Sequence, residues 1–301
     1  MMIDKFTLTC IETCTRRDPS ENVDILSRAI QQAADNGAEF IASPETCNFM
    51  EKGREAMLSR LCQEADDPVV QALQAAAKTH GVYVLAGSVA VVSADGRAAN
   101  RSIVFAPDGN IIARYDKIHL FDVTLANGEH HAESNNYQAG EQAVTADLPW
   151  GKLGMSICYD LRFASLYRSL ALAGACFISV PSAFTRPTGK AHWRVLLRAR
   201  AIETGCYIFA PAQSGSHENG RETYGYTMIV SPWGEVLAQS TQDSFAVGGE
   251  DKDDFEVDGY RLVSAELDVK KVVAARQQIP SLRHGRDFTP PHEAGSIPSR
   301  G

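Results

Sequence analysis

The chain has 301 residues, of which 44% are hydrophobic and 22% charged, and its formal net charge is −8. This is an ordinary globular composition, and the length allows one α/β domain or two smaller ones. No basic block and no apolar run long enough to span a bilayer occurs, so we expect neither nucleic acid nor a membrane as a partner. Because the N-terminus lacks the apolar core of a signal peptide, we expect a cytoplasmic protein.

The cysteines number seven, are mostly widely spaced and form no C-x-x-C pair. A disulfide framework is not expected from such a pattern. Cys10 and Cys14 lie close together, but no second cysteine pair or histidine pair follows at zinc-ligand spacing. We expect mostly buried free thiols, and no metal or organic cofactor.

The first half of the chain alternates strand and helix patterns and then continues with antiparallel strands. Ser20 is the expected N-cap of the first helix, and Gly37 ends it. The pairs Asp95-Gly96 and Asp108-Gly109 signal turns between consecutive strands. The predicted elements are strands at 6–11, 39–43, 82–92, 101–106 and 111–115 and helices at 21–34 and 68–79.

Two charged side chains directly follow predicted strands. Glu45 comes after Pro44, which halts a buried strand, and ligand sites of α/β sheets gather at such strand ends. Its alternative is a solvated loop glutamate. Lys117 follows the last hairpin strand and precedes apolar residues, so partial desolvation would lower the pKa of its ammonium. The alternative for Lys117 is an edge-strand lysine that prevents aggregation.

Residues 127–140 are polar and rich in turn formers, which predicts a loop long enough to wall a pocket. The loop contains Glu133, which is either a surface charge or a further carboxylate of a site. The pair His130-His131 is expected at the loop surface. Nearby His119 is expected to make structural hydrogen bonds rather than to bind a metal.

Cys158 lies between a predicted buried strand at 153–157 and a predicted helix at 163–172. A thiol at such a turn faces a pocket, and the N-terminal dipole of the following helix favours thiolate and oxyanion. The sequence therefore suggests a nucleophile at Cys158. The alternative is a small hydrophobic residue of the core.

The second half repeats the order of strands and helices without a detectable sequence repeat, so two sheets stacked face to face with helices outside would bury both sets. The acidic segment 241–259 is expected to be a surface excursion. We expect a single domain over residues 1–288 and an extended or disordered tail over 289–301. The remaining predicted elements are strands at 176–180, 206–210, 226–231, 236–239 and 262–267 and helices at 191–204 and 269–278.

A pocket at these strand ends would bring Glu45, Lys117 and Cys158 together. Glu45 can then take the proton of the Cys158 thiol, and Lys117 with the backbone N–H of Tyr159 can stabilise a tetrahedral oxyanion. This arrangement favours acyl transfer: attack on an amide carbonyl, loss of ammonia or an amine, and hydrolysis of a thioester.

Three motifs resemble the signatures of the carbon–nitrogen hydrolase (nitrilase) superfamily, in the same order. They are Pro44-Glu45, Tyr115-Asp116-Lys117-Ile118-His119-Leu120-Phe121 and Ile157-Cys158-Tyr159-Asp160-Leu161-Arg162-Phe163. The resemblance spans about residues 5–288 and implies an α+β fold, a four-layer αββα sandwich with two mixed β-sheets face to face, usually as a homodimer or larger assembly. It also implies that Glu45 is the base, Lys117 the oxyanion stabiliser and Cys158 the nucleophile. Glu133 would support the lysine and position substrate.

The segments 184–193 and 196–203 and the triplet Pro232-Trp233-Gly234 are similar to the Nit amidase branch of that superfamily. Within the branch they are most similar to the group that hydrolyses deaminated glutathione, with the omega-amidases of α-ketoglutaramate as a sister group. Both substrates carry a carboxylate, and Arg162 is our candidate for binding it, because a guanidinium binds carboxylates bidentately. Arg162 could instead form a structural ion pair with Asp160 or a glutamate. Thr188 is a further candidate of the pocket, and the long acidic segment 241–259 departs from the branch.

The leading hypothesis is a cofactor-free amidase that takes a small anionic ω-amide and water and releases ammonia. The alternatives within this chemistry are an omega-amidase, an N-carbamoyl amino-acid hydrolase and a nitrilase. From a different class, the chain could be an inactive dimeric scaffold. Regulation through oxidation of Cys158 would follow if its thiolate oxidises easily.

Overall fold

The computed structural model describes residues 4–125, 128, 130–241 and 259–288. The predicted tail at 289–301 and nearly all of the acidic segment lie outside this part. The predicted helices form with ends shifted by at most two residues, except that the helix predicted at 191–204 begins five residues earlier, and within the described residues one short helix is additional. The helices are α1 (Pro19–Asp35), α2 (Arg54–Leu58), α3 (Pro68–His80), α4 (Ala164–Leu172), α5 (Arg186–Thr204) and α6 (Lys270–Gln278).

The N-terminus of α1 differs from the prediction. Asp18, not Ser20, is the N-cap, and its side chain accepts a hydrogen bond of 2.9 Å from the backbone N–H of Ser20. Pro19 occupies the first helical position, where its missing N–H removes no helical hydrogen bond. The helix therefore starts before Ser20, which lies within its first turn.

Within the described ranges, the strands have two to ten residues, and they comprise all the predicted strands and six further short ones. In chain order they are β1 (Lys5–Thr13), β2 (Phe40–Ala42), β3 (Tyr83–Val92), β4 (Ala98–Phe105), β5 (Ile111–Asp116), β6 (Asp122–Thr124), β7 (His130–Ala132), β8 (Tyr137–Gln138), β9 (Thr145–Leu148), β10 (Gly151–Met155), β11 (Ala175–Ser179), β12 (Tyr207–Ala210), β13 (Ser214–Ser216), β14 (Glu222–Tyr224), β15 (Met228–Val230), β16 (Val236–Gln239) and β17 (Tyr260–Asp268).

Two mixed sheets form the centre of the molecule. The first has the order β17-β1-β2-β3-β4-β5, with β8 paired to β4, and the second has the order β16-β15-β12-β11-β10-β9. The inner strands β1, β2 and β3 are parallel in the first sheet, as are β10, β11 and β12 in the second, and the flanking strands are antiparallel. Each half thus contains the strand–helix–strand units that the sequence pattern predicts.

The main hydrophobic core lies between the two sheets. Phe40 of β2 meets Phe209 of β12 edge to face at 5.7 Å, and Phe6 of β1 stacks on Trp150 beside β10 at 4.2 Å. A second cluster packs α1 and α3 on the outer face of the first sheet, and α4 and α5 pack against strands of the second. The architecture is the expected α+β sandwich with αββα layers.

The segment predicted as an irregular loop at 127–140 is more ordered than expected. Its start lies partly outside the described residues, but β7 pairs with β6 as a hairpin and β8 joins the first sheet. Backbone pairing of β7 with the neighbouring β6, and of β8 with β4 about 39 residues earlier, creates this order, which the polar composition does not show. Within the described residues, no helix has the length and apolarity needed to cross a bilayer.

Candidate active site

The ends of several strands meet at one edge of the sandwich. Glu45 follows β2 and Lys117 follows β5 in the first sheet, while Cys158 follows β10 in the second. The carboxyl ends of parallel strands share one sheet edge, so side chains just beyond them converge. The sheets bring these three residues together, as the sequence predicted.

Cys158 sits on a sharp turn. Its φ of 49° lies in the left-handed region, and it opens a 3-10 turn over Cys158–Arg162 that leads to α4. The backbone N–H of Cys158 donates to Pro181 O at 2.9 Å, and the buried Asp160 carboxylate accepts from Ile157 N–H at 2.9 Å and from the Tyr115 hydroxyl at 2.7 Å. These bonds hold a strained backbone in place, which is common where a reactive side chain must be presented.

Lys117 joins two carboxylates. Its ammonium donates to Glu45 Oε1 at 3.0 Å and to Glu133 Oε2 at 2.8 Å. The Lys117 side chain is only 2% exposed, so it is not the edge lysine of the alternative reading. Glu133 lies on a 3-10 turn after β7, where Phe121 N–H fixes its Oε2 at 2.7 Å. Glu133 is therefore part of the cluster and not a free surface charge.

Asn100 of β4 is a member of this cluster that sequence reasoning missed. Its Nδ2 donates to Glu45 Oε1 at 3.0 Å and to Glu133 Oε1 at 3.2 Å. Its backbone carbonyl accepts from Lys117 N–H at 2.9 Å. Asn100 thus sets the spacing of both carboxylates and of the lysine. An asparagine within a strand carries no sequence signal of that kind.

Glu45 also contacts the second sheet. Its Oε2 accepts a hydrogen bond of 2.8 Å from the backbone N–H of Ala183, which follows β11. Glu45 and Cys158 line the same cavity, and the Glu45 charge helps to raise the pKa of the thiol. The carboxylate is therefore placed in the pocket where it can receive the proton of the thiol.

The protonation states differ from the sequence-based expectation. Burial alone would lower the pKa of the Lys117 ammonium, but Glu133 and Glu45 outweigh it and hold that pKa well above its ordinary value. Burial raises the pKa of the Cys158 thiol, and Glu45 adds to the rise. Burial also opposes ionisation of Glu45, yet Lys117 and Arg221 hold its pKa below the ordinary value. At rest, Lys117 is an ammonium, Glu45 is a carboxylate and Cys158 is a neutral thiol. The expected thiolate at Cys158 and the expected lowered pKa of Lys117 are therefore both wrong.

A cavity of about 420 Å³ opens onto this cluster. Its volume falls in the range of pockets that bind small molecules, about 300–1,000 Å³. All the predicted site residues line it: Glu45, Lys117, Glu133, Cys158, Tyr159, Arg162 and Thr188. His130 and His131 line it as well, from strand β7 and not from a surface loop.

The three predicted substrate-binding residues differ in their surroundings. Within the described chain, no acceptor bonds to the backbone N–H of Tyr159. Arg162 does not pair with Asp160: its guanidinium lies over the Phe184 ring at 5.6 Å, and its Nη1 is 3.3 Å from His192 Nδ1. Thr188 lies in the first turn of α5, and its hydroxyl bonds to that of Thr185 at 2.8 Å.

Arg221 is a second residue of the cavity wall that the sequence did not indicate. It follows the turn between β13 and β14, and its Nη2 donates to Ala183 O at 2.6 Å. Its Nε is buried and has no hydrogen-bond partner among the described residues. A lone arginine in a polar turn looks like a surface charge in the sequence, so only the fold could identify it.

The other cysteines and His119 have structural surroundings. All seven cysteines are free thiols. His119 Nδ1 lies 2.7 Å from Asp160 Oδ1, and its ring stacks on Phe163, which confirms the predicted structural role. In the part of the chain that is described, no group of three or more His, Cys, Asp and Glu side chains has the arrangement of a metal site.

Known proteins similar to this chain cover almost all of it. Residues 8–277 match the model of the carbon–nitrogen hydrolase family. The deaminated glutathione amidase of Synechocystis sp. is 38% identical over 283 residues, which cover 93% of this chain and 97% of that protein. Omega-amidase NIT2 of Homo sapiens is 32% identical over 281 residues, or 93% of this chain and 95% of that protein.

Solved structures match the fold over a similar length. The crystal structure of the C. elegans NitFhit protein superposes with a TM-score of 0.83 at 30% identity, over 95% of this chain and 66% of that one. Saccharomyces cerevisiae Nit3, of the nitrilase superfamily, superposes with a TM-score of 0.78 at 25% identity, over 93% of this chain and 96% of that one. The chain belongs to the carbon–nitrogen hydrolase family and is a hydrolase of carbon–nitrogen bonds other than peptide bonds.

Proposed function

We propose that the protein is a cysteine amidase that hydrolyses a small anionic amide through a thioester on Cys158. The observation that carries this proposal is the shared cavity in which Lys117 bridges Glu45 and Glu133 beside the thiol. A base, a nucleophile and a fixed positive charge within one pocket are the parts that acyl transfer requires.

In the first half-reaction, Glu45 takes the proton of the Cys158 thiol as the sulfur attacks the amide carbonyl carbon. The carbonyl oxygen becomes an oxyanion, which Lys117 and the Tyr159 N–H stabilise. Glu45 then gives its proton to the nitrogen, the C–N bond breaks, and ammonia or an amine leaves. The neutral resting thiol suits this step, because the proton moves only when substrate is attacked.

In the second half-reaction, water replaces the departed amine. Glu45 accepts a proton from that water as its oxygen attacks the thioester carbon. The resulting tetrahedral intermediate collapses, the C–S bond breaks, and the proton returns to the sulfur as the acid product leaves. Glu133 and Asn100 hold Lys117 and Glu45 in place throughout, which maintains the geometry of both attacks.

For the substrate, we propose an ω-amide of the deaminated glutathione type, with Arg162 binding the carboxylate of its acyl part. Support comes from the names of the relatives and from a guanidinium on the cavity wall that faces aromatic rings and no carboxylate of the described chain. Omega-amidase activity on α-ketoglutaramate is the second candidate, because a 32% identical relative bears that name.

The test compares four substrate classes: deaminated glutathione, α-ketoglutaramate, N-carbamoyl amino acids and simple nitriles. The release of an amine must be measured as well as that of ammonia. Deaminated glutathione is a substituted amide, so its hydrolysis releases an amine instead of ammonia. Turnover of the first compound supports the proposal. Turnover confined to N-carbamoyl amino acids or nitriles would replace the proposed substrate.

A covalent intermediate gives the second test. Mass spectrometry of the enzyme quenched during turnover should show an acyl adduct on Cys158. The variant Cys158→Ala should keep its fold and lose roughly 10⁴-fold or more in kcat. Cys176→Ala, which removes a half-buried thiol that does not line the cavity, is the matched control. Full activity of the Cys158 variant would reject nucleophilic catalysis at this position.

A further inference from the structure

The cavity contains more positive charge than its own carboxylates neutralise. Glu45 and Glu133 are held by Lys117, and the third carboxylate of the wall, Glu51, is held by Arg17 and Arg60. Arg162 and Arg221 also line the cavity, and neither forms an ion pair with a carboxylate in the ranges that the structure describes. Two guanidinium groups therefore remain for ligands.

Arg221 is built into the wall and is not a free surface side chain. Its backbone N–H donates to Asn219 Oδ1 at 2.9 Å, and its carbonyl accepts from His217 N–H at 2.8 Å, which closes the turn between β13 and β14. The residue is half-buried, and among the described residues its Nε has no acceptor. A buried guanidinium N–H without an acceptor costs free energy. Because the Nε atom is closed to solvent, an anionic ligand would bind the part of the guanidinium that lines the cavity.

The position of Arg221 indicates which part of a substrate it meets. Its Nη2 binds the carbonyl of Ala183, whose N–H binds the Glu45 carboxylate. In the proposed reaction Glu45 delivers a proton to the leaving nitrogen, so the amine part of the substrate lies on the Glu45 side. Arg162 belongs instead to the turn that carries the nucleophile, next to the acyl part.

We propose that Arg221 is a specificity-determining residue that binds a carboxylate on the amine part of the substrate, while Arg162 binds one on the acyl part. The preferred substrate is then an amide with a carboxylate on each side of the scissile bond. This inference rests on the proposed function and narrows it, because deaminated glutathione carries both carboxylates and α-ketoglutaramate carries only that of its acyl part.

The test uses a matched pair of amides with the same acyl part: deaminated glutathione and its C-terminal carboxamide, which lacks only the second negative charge. The wild-type enzyme should prefer the acid at least about tenfold in kcat/KM, the size expected for a charge-assisted hydrogen-bond pair. Arg221→Gln should reduce this preference to about one. Arg221→Lys should retain part of it, because the charge stays while the bidentate geometry is lost.

Arg162→Gln is the matched control, since it should lower kcat/KM for both amides by a similar factor and leave the preference unchanged. The competing role for Arg221 is to act through Glu45, on which its charge also acts. In that case Arg221→Gln would lower activity on both amides equally and shift the acidic limb of both pH profiles. That result would overturn the inference.

The wild-type measurements keep the inference testable even if the Arg221 variants do not fold. Equal kcat/KM values for the acid and the carboxamide would reject the role of Arg221 and leave the amidase proposal standing. Failure to hydrolyse either amide would reject the proposed function itself.

Discussion

At the scale of single residues, the balance of charge around Cys158 determines its chemistry. One ammonium, Lys117, lies between two carboxylates, Glu45 and Glu133. Burial raises the pKa of the Cys158 thiol above its ordinary value, and Glu45 adds to the rise while Lys117 opposes it. Peroxide reacts with thiolates, so a neutral resting thiol argues against redox regulation through Cys158.

The same balance predicts opposite effects of Glu45→Gln on two reactions of Cys158. Loss of the negative charge lowers the pKa of the thiol, because Lys117 then favours the thiolate without opposition from Glu45. Alkylation by iodoacetamide at neutral pH should become faster, while amide hydrolysis falls by roughly 10²–10⁴-fold for want of a base. In the wild type, alkylation should continue to accelerate above pH 9, the ordinary pKa of a thiol, because the pKa of Cys158 lies above that value.

Glu141→Gln is the control, because Glu141 is an exposed glutamate in the loop after β8. It should alter neither the alkylation of Cys158 nor the hydrolysis of the amide. Both rates can be followed in one preparation, by mass spectrometry of Cys158 and by product release. If alkylation of the Glu45 variant were slower than that of the wild type, Glu45 would not be the group that keeps the thiol neutral.

At the scale of elements, the first turn of α5 and the β13–β14 hairpin together form one wall of the cavity. Gly189 of α5 lies against the Tyr224 ring of β14, and a Cβ added at this glycine would clash with that ring. The space is too small for any side chain. The absence of a side chain at 189 therefore permits the close approach that holds the hairpin, and Arg221 with it, in position.

Gly189→Ala should push the hairpin away from α5. We expect a loss of about 1–3 kcal/mol in the free energy of unfolding, as for other overpacked sites. We also expect a severalfold rise in KM for the amide that exceeds the change in kcat, because the wall that binds substrate moves more than the Cys158 turn. Thermal denaturation and steady-state kinetics measure the two effects.

Lys190→Ala changes the next residue, which is exposed, and serves as the control. It should leave both quantities close to the wild-type values. Should Gly189→Ala behave like this control, the contact with Tyr224 would have no part in positioning the wall.

At the scale of the whole molecule, large apolar side chains remain exposed on the outer layer of the second sheet. They lie on α4, on α5, on or just after α6 and in the turn between β15 and β16, and all six are more than half exposed. Exposed apolar side chains concentrated on one layer mark an interface in many proteins. The exposed residues are Leu172, Val195, Ile202, Trp233, Val273 and Ile279.

We expect this face to form the interface of the homodimer that the family resemblance implies. Val195→Glu should therefore shift the protein towards monomer, because a buried, unpaired carboxylate at an interface is costly. Light scattering after size-exclusion chromatography measures the change. Ile112→Glu, at an exposed apolar position on β5 of the other sheet, is the control and should not alter the mass. A monomeric wild type, or dissociation by the control alone, would contradict this assignment.

The sequence by itself predicted most of the helices and strands, and it predicted the reactive side chains that follow three of the strands. Periodic apolar positions predicted α1 and α3, and the turn signal Asp108-Gly109 predicted the β4–β5 hairpin, because local patterns fix local structure. The residues Glu45, Lys117 and Cys158 stood out because each follows an apolar strand, and the motifs around them resemble the family that the chain proved to belong to.

Only the tertiary structure decided the contacts and the charges of the site. Glu45 and Lys117 are 72 positions apart, and Asn100 and Arg221 carry no local signal that they line the same cavity. The neutral thiol and the raised lysine pKa depend on burial and on which charges lie within a few ångströms. Burial and the distances between charges arise only when distant segments pack together, so the linear order of the residues does not reveal them.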